Sequence, residues 1–234
     1  MSHLHIPDGV LPVPVWLGGL LLAAFLLLLG VRGGRGAGAR PVALQSTLAG
    51  VMLVIMALPV PITAFDYCMT LAGPVGVLLG AAGAMQVSFV VTLILALMGQ
   101  GGFTVVGLNT LVLGLGAATA RPVYLALVRP LRPAGAMAAA TAVSQLLSSA
   151  LWIALLWLSV RLSPALGSEH EVGHALRWVR GGVLAAVLLP LLAVAVGVES
   201  LLGYGLARFL DRVRPDLLPR PAGARTIAHE APRS

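Results

Sequence analysis

Long apolar runs, separated by short clusters of arginine, glycine and proline, dominate this chain. The first run extends from about Val13 to Val31 and the second from about Val42 to Leu58. A third, from about Met69 to Met98, contains small residues at 80–83 that predict a tight turn between two shortened helices. Further runs end at about 128, 160 and 206. Because a helix needs roughly 20 apolar residues to cross a bilayer, the pattern predicts about seven transmembrane helices.

Two polar segments interrupt this pattern without a run of charges. Residues 59–68 contain two prolines and an aspartate, which predicts a position at a membrane surface. Residues 99–109 are rich in glycine and carry Gln100, Thr104 and Asn109. This second segment is expected to be a surface loop or a re-entrant loop packed against protein.

The composition agrees with a membrane protein and excludes a soluble enzyme domain. Hydrophobic residues make up 59% of the 234 residues, charged residues 10%, and the mean hydropathy is +0.98. A soluble fold could not remove so much apolar surface from water. The net charge of +7 comes from arginines that lie between the apolar runs, which does not favour nucleic-acid binding.

The positions of the arginines predict the orientation. With seven crossings, the loops and the tail on one side carry most of them, and the positive-inside rule makes that side cytoplasmic. The N-terminus is then outside and the C-terminus is in the cytoplasm. One side holds arginines 32, 35, 40, 129, 132, 208, 212, 214, 220, 225 and 233, and the other holds 161, 177 and 180.

Three parts of the chain are predicted: an external N-terminal segment (1–12), a transmembrane helical bundle (13–206) and a cytoplasmic tail (207–234) whose composition favours disorder. The N-terminal segment has no basic region ahead of its apolar run, so we expect no cleaved signal peptide. Cys68 is the single cysteine, which excludes an internal disulfide and a cysteine-rich metal site.

The first five residues are the most informative chemically. If Met1 is retained, its amine, the amides of Ser2 and His3, and the His3 imidazole form a set of four nitrogens that suits Ni²⁺ or Cu²⁺. If Met1 is removed, the Ser2 amine and His3 supply three nitrogens. A fourth ligand then comes from His5, or from the loop that holds Asp66 and Cys68.

The sequence resembles the cobalt- and nickel-specific membrane subunits of energy-coupling-factor transporters, the CbiM/NikM family. The resemblance is carried by His5-Ile-Pro-Asp-Gly-Val-Leu-Pro12, by residues 70–80 and by the glycine-rich loop 101–109. It covers the first half to two thirds of the chain. In that family the N-terminal amine, the amide and side chain of a second-residue histidine, and a histidine from the loop before the third span hold the metal.

The resemblance implies a site with two differences from the family. Its motif histidine aligns with His5, but Ser2, His3 and Leu4 separate it from Met1, so either His3 or His5 leads the chelate. The place of the loop histidine falls at Cys68, with Met69 next to it, and a thiolate is a competent ligand for Co²⁺ and Ni²⁺. Four residues are expected to support this site: Asp66, Gln100, Thr104 and Asn109.

Two other features were candidates for function. His170, Glu171 and His174 form an HExxH string, with Glu169 just before it, but Gly173 and the polar loop around it disfavour a metalloprotease. Glu199 is the one acid embedded in an apolar span. Such an acid marks a functional or partner contact, although a side chain that reaches toward Arg208 or the cytoplasmic surface is the favoured interpretation.

No phosphate-binding P-loop motif is present, so the chain itself is not expected to hydrolyse ATP. The resemblance implies a substrate-capture subunit for Co²⁺ or Ni²⁺ in the cell inner membrane, without a cofactor of its own. Its implied partners are a transmembrane coupling subunit, cytoplasmic ATP-binding-cassette ATPases and a small accessory membrane protein. The alternative is a membrane subunit of the same architecture for a small organic solute such as a vitamin.

Overall fold

A computed structural model describes residues 8, 11–33, 39–58, 60–62, 65–162 and 183–221. Helices dominate this part of the chain, as the apolar runs predict. The helices are α1 (Val13–Gly33), α2 (Ala39–Ala57), α3 (Ala72–Leu97), α4 (Val106–Leu162) and α5 (Val183–Val213), followed by a 3₁₀ turn at Pro215–Leu217.

A short β-hairpin connects α2 to α3. Strands β1 (Val60–Ile62) and β2 (Phe65–Tyr67) pair antiparallel, with Val60 opposite Tyr67. The hairpin occupies the segment that was predicted to lie at a membrane surface, and Asp66 belongs to β2. The antiparallel pairing satisfies the backbone groups that face between the two strands within the segment itself.

Helix α3 is broken at Gly80, where φ is 74° and ψ is −177°. L-amino acids rarely adopt this conformation, and glycine tolerates it. The two arms of α3 run in opposite directions along α4: Gly76 and Gly80 lie against Ala117 and Arg121, whereas Met85 and Thr92 lie against Gly114 and Thr110. The break therefore reverses the chain, and the predicted turn within 80–83 is found at its first residue.

Helix α4 is also a hairpin, and it reverses at Arg132, whose φ is 59°. Its first arm covers 106–131 and its second 133–162. The Ser148 hydroxyl donates to the Val112 carbonyl at 3.0 Å, which ties the two arms together across 36 residues of sequence. The arms correspond to the predicted apolar runs that end at about 128 and 160, and their junction lies at the arginines between these two runs.

Helix α5 extends to Val213 rather than ending at Leu206 as predicted, and the chain that follows is packed at Leu218. The reason is that the helix keeps an apolar face beyond residue 206. Ala207 and Leu210 are buried against Tyr124 of α4, in a core that also includes Leu218. The start of the predicted tail is therefore part of the folded bundle.

The described chain contains four helices that are long and apolar enough to cross a membrane: α1, α3, α4 and α5. Helix α2 contributes a shorter apolar stretch, Pro41–Ala57. Large apolar side chains on the outside of the bundle, such as Leu21, Phe25 and Leu201, are more than half exposed, as expected of a lipid-facing surface. The chain is a multi-pass membrane protein, and the seven crossings and the sides of the termini stay predictions.

Candidate functional site

Asp8 anchors the N-terminal segment to the turn that leads into α4. Its carboxylate accepts the backbone N–H groups of Phe103 and Thr104, each at 2.9 Å, and the hydroxyl of Thr104. Partial desolvation acts to raise the pKa of Asp8, but these hydrogen bonds outweigh it and lower the pKa below its ordinary value. The charged form of Asp8 therefore holds the segment in place.

Two further contacts fix the same segment. Leu11 is buried, with Val105 and Leu108 in the same apolar cluster. Gly102 lies so close to Asp8 that a Cβ at position 102 would be 2.5 Å from the Asp8 backbone nitrogen. The residues just before α1 are thus held against the start of α4 by hydrogen bonds, apolar burial and close backbone approach.

The loop between α3 and α4 also contacts the end of α2. The Gln100 side-chain amide donates to the Ala57 carbonyl at 3.3 Å, shortly before the β-hairpin. Thr104 contacts the N-terminal segment through Asp8, whereas Asn109 is a buried residue of α4. Of the predicted supporting residues, Thr104 and Gln100 therefore join the loop to two different segments, the N-terminus and the chain that leads to Cys68.

Cys68 and Thr70 are buried where the chain enters α3. Cys68 is 5% exposed and Thr70 is fully buried. The Thr70 N–H donates to Oε1 of Glu199 at 2.7 Å, and its hydroxyl lies 3.1 and 3.0 Å from the two carboxylate oxygens. The same hydroxyl is 3.4 Å from Oε1 of Gln145 and accepts the Ala72 N–H at 3.3 Å. We call Thr70, Gln145 and Glu199 the buried polar cluster.

The interpretation of Glu199 as an acid that reaches the cytoplasmic surface is wrong. Its side chain is fully buried and turns inward to Thr70. A carboxylate in an apolar interior is costly unless hydrogen bonds replace its water shell, and the N–H and hydroxyl of Thr70 provide such bonds. The other interpretation, an intramembrane contact with a function, is the one that its position supports.

Several predicted site residues lie outside the described part of the chain. These are Met1, Ser2, His3 and His5, together with His170 and His174. Asp66 lies on strand β2. Within the described residues, no three histidine, cysteine or acidic side chains come together in a way that could hold a metal ion.

The sequence interpretation missed Asp8 and Thr70 as individual residues. In the sequence Asp8 stands out only as part of the His5–Pro12 motif, although an aspartate in a Pro-Asp-Gly turn is a common acceptor for backbone N–H groups. Thr70 gave no local signal, because its partner Glu199 is 129 residues away.

A family model described as CbiM, cobalt uptake substrate-specific transmembrane region, matches residues 5–217. A search of curated proteins gives no match. The matched region begins at His5 and includes Asp8, the loop between α3 and α4, the buried polar cluster and all five helices.

Proposed function

Since this chain belongs to the CbiM family of cobalt uptake substrate-specific transmembrane regions, we propose that it is the substrate-capture component of an ATP-driven transporter for Co²⁺ or Ni²⁺. The match over residues 5–217 is the observation that carries this proposal. It establishes a membrane component of cobalt uptake, and it favours a metal over a small organic solute. The narrower role and the binding residues are what we propose.

In this proposal the metal binds on the outer side through the N-terminus and Cys68. The donors are the terminal amine, a backbone amide, the imidazole of His3 or His5, and the Cys68 thiolate. Amine and imidazole nitrogens and thiolate sulfur all suit Co²⁺ and Ni²⁺. The attachment of Asp8 to the turn before α4 supports this site, because it ties a residue three positions after His5 to the folded bundle.

The loop between α3 and α4 supports the same arrangement. Through Thr104 it contacts Asp8 of the N-terminal segment, and through Gln100 it contacts Ala57 at the end of α2, eleven positions before Cys68. Asn109 belongs to α4, which follows this loop, and Asp66 belongs to β2, which precedes Cys68, and both are proposed to support the metal site. One loop thus restrains both segments that carry proposed ligands.

Active transport requires partner proteins in this proposal. The family functions in uptake, and we propose a transmembrane coupling subunit, a pair of cytoplasmic ATPases and a small accessory membrane protein as its partners. ATP hydrolysis on the partners reorients this subunit, and the metal is released inward. The chain itself supplies the selective binding step and no ATPase site.

Metal titration of the purified protein tests the chelate. Co²⁺ and Ni²⁺ affinities are measured before and after acetylation of the terminal amine, and in His3→Ala and His5→Ala. Acetylation removes a donor and is expected to weaken binding by at least about tenfold, the equivalent of roughly 1.4 kcal/mol. Unchanged affinity after acetylation would eliminate the chelate. Mass spectrometry of the intact protein identifies which residue carries the amine.

Replacement of the cysteine tests the fourth ligand separately. Cys68→Ala is expected to weaken Co²⁺ binding and to remove the thiolate-to-Co²⁺ charge-transfer absorption. Cys68→Ser is the matched control for size. If Cys68→Ala binds Co²⁺ with the original affinity and spectrum, the thiol is not a ligand, while the N-terminal chelate stands.

A further inference from the structure

We propose that Glu199 is a positioning residue for the metal site: through Thr70 it fixes the segment that presents Cys68 to the metal. This inference rests on the function proposed above. Glu199 lies on α5, 131 positions after Cys68 in the sequence, and it contacts the backbone only two residues beyond the proposed ligand. It acts on the metal through the segment and does not itself coordinate the ion.

The first support is the number of bonds that converge on Thr70. Its N–H and its hydroxyl both contact the Glu199 carboxylate, at distances between 2.7 and 3.1 Å. Two bonds from neighbouring atoms of one residue fix its orientation as well as its position. Hydrogen bonds to a charged acceptor are also stronger than neutral ones. The Thr70 backbone is thereby tied to α5.

The second support is the strained junction between Thr70 and α3. Leu71 has φ 52° and ψ 18°, a left-handed conformation that a side chain disfavours. Leu71 occupies the N-cap position of α3 and makes no capping hydrogen bond with its side chain. The Ala72 N–H donates instead to the Thr70 hydroxyl. Local preferences therefore do not determine this conformation. The bonds of Thr70 to Glu199 maintain it.

The third support is that α5, the second arm of α4 and the start of α3 approach one another at this point. Gly73 of α3 and Gly203 of α5 both lie against Thr141 of α4, and Gln145 one turn further along α4 contacts Thr70. Small residues allow this close packing. Placing an ionisable side chain at such a junction has a free-energy cost that apolar packing would avoid, which favours a functional role for Glu199.

The test compares Glu199→Gln and Thr70→Val with two matched controls. Gln keeps the size of Glu but removes the charge, and Val keeps the size of Thr but removes the hydroxyl. Thr70→Ser keeps the hydroxyl. Asp211→Asn removes an exposed acid from the same helix. Each variant is measured for thermal midpoint, Co²⁺ affinity and the thiolate-to-Co²⁺ absorption, in the same detergent.

Glu199→Gln and Thr70→Val are each expected to weaken Co²⁺ binding by about tenfold and to reduce or shift the thiolate absorption, since each removes a bond to a charged group. The double variant is expected to bind no more weakly than the weaker single variant, because both changes remove one interaction. Asp211→Asn is expected to behave like the unaltered protein, and Thr70→Ser is expected to restore the affinity and the absorption that Thr70→Val loses, at a lower thermal midpoint because a buried methyl group is lost. If Glu199→Gln does not fold, Glu199→Asp and Thr70→Val give the same comparison.

Three outcomes would overturn the inference. If Glu199→Gln and Thr70→Val lower the thermal midpoint but leave the affinity and the absorption unchanged, Glu199 is structural only. If Glu199→Gln weakens binding equally in a Cys68→Ala background, Glu199 does not act through Cys68, while metal binding stands. If the unaltered protein binds neither Co²⁺ nor Ni²⁺, the proposed function fails and this inference fails with it.

Discussion

Asp8 illustrates how much depends on a single carboxylate in this protein. It is exposed, yet it accepts three hydrogen bonds from two consecutive residues of the turn before α4. These donors favour the charged form and lower its pKa, although desolvation alone would raise it. The position of the proposed metal-binding N-terminus is therefore linked to the protonation state of Asp8.

We predict that this attachment is lost in acid. A carboxyl group whose pKa is lower in the folded state than in the unfolded state stabilises the folded state at pH values above the ordinary pKa. This stabilisation disappears as the pH falls through the lowered pKa. With an acid-stable protease, proteolysis at residues 1–12 is expected to accelerate only as the pH falls below the ordinary carboxyl pKa of 3.8. Asp8→Asn is expected to be cleaved rapidly at every pH.

Asp211→Asn is the control for that experiment, since Asp211 is exposed on α5, away from the turn before α4. It should follow the unaltered protein throughout. Equal rates of cleavage in Asp8→Asn and the unaltered protein at neutral pH would show that the Asp8 bonds do not restrain the segment.

For single residues, the sequence predicts which side chains are unusual for their position better than it predicts the partners that they contact. Glu199 was recognisable because an acid in an apolar span is costly, but its partner was not, because that partner is distant in sequence. Thr104 was predicted to support the N-terminal segment, and it does contact that segment through Asp8. The atoms that it binds depend on the close approach at Gly102, which no local pattern reveals.

Both helical hairpins depend on one residue with positive φ. Gly80 reverses α3 and Arg132 reverses α4. Glycine adopts such a conformation easily, and arginine does not. The two hairpins thus have turns of similar backbone geometry but different cost.

Gly80→Ala is predicted to destabilise the bundle by about 1–3 kcal/mol, the cost of placing a side chain in this region of backbone conformation. The new Cβ would also lie 3.0 Å from Nη1 of Arg121. The thermal midpoint should fall. Gly18→Ala is the control, since a Cβ at Gly18 in helix α1 meets open space and alanine favours helix. A fall of the same size in both variants would show that the backbone conformation at Gly80 is not the cause.

Arg132→Gly is predicted to have the opposite effect. Glycine relieves the backbone strain at φ 59°, which raises the free energy of unfolding. Its greater conformational freedom in the unfolded chain offsets part of this gain, and a net increase of about 1 kcal/mol in the free energy of unfolding remains. Arg129→Gly removes the same charge from regular helix three residues earlier and should cost about 1 kcal/mol. The two thermal midpoints should move in opposite directions. Movement in the same direction would show that charge outweighs backbone strain.

The elements themselves were largely predictable. Apolar runs predicted the helices, and small or basic residues predicted both reversals, because lipid requires regular helices between polar connections. The end of α5 was not predictable in this way. The sequence after residue 206 is polar overall, and only the burial of Ala207 and Leu210 against Tyr124 shows why the helix continues.

For the molecule as a whole, the arrangement of loops predicts which ends of the bundle face outward. The N-terminal segment and the turn before α4 are joined by Asp8 and therefore lie on the same side. The turn at Arg132 lies at the other end of the first arm of α4. By the positive-inside rule, this second end is expected to face the cytoplasm.

Cysteine labelling can test this orientation, since Cys68→Ser provides a background without cysteine. Phe103→Cys and Leu131→Cys place exposed thiols at the two ends, where the native side chains are 58% and 47% exposed. A membrane-impermeant maleimide should label position 103 in intact cells and position 131 only after permeabilisation. The reverse pattern would place the N-terminus inside.

The reversal of α3 at Gly80 has a consequence for the number of times the chain crosses the membrane. The arm before Gly80 spans residues 72–79 and is about 12 Å long at 1.5 Å per residue, well short of a hydrocarbon core of roughly 30 Å. A hairpin that leaves by the face it entered contributes two crossings or none, so every later loop keeps its side. Its depth can therefore change by insertion or deletion without inverting the rest of the protein.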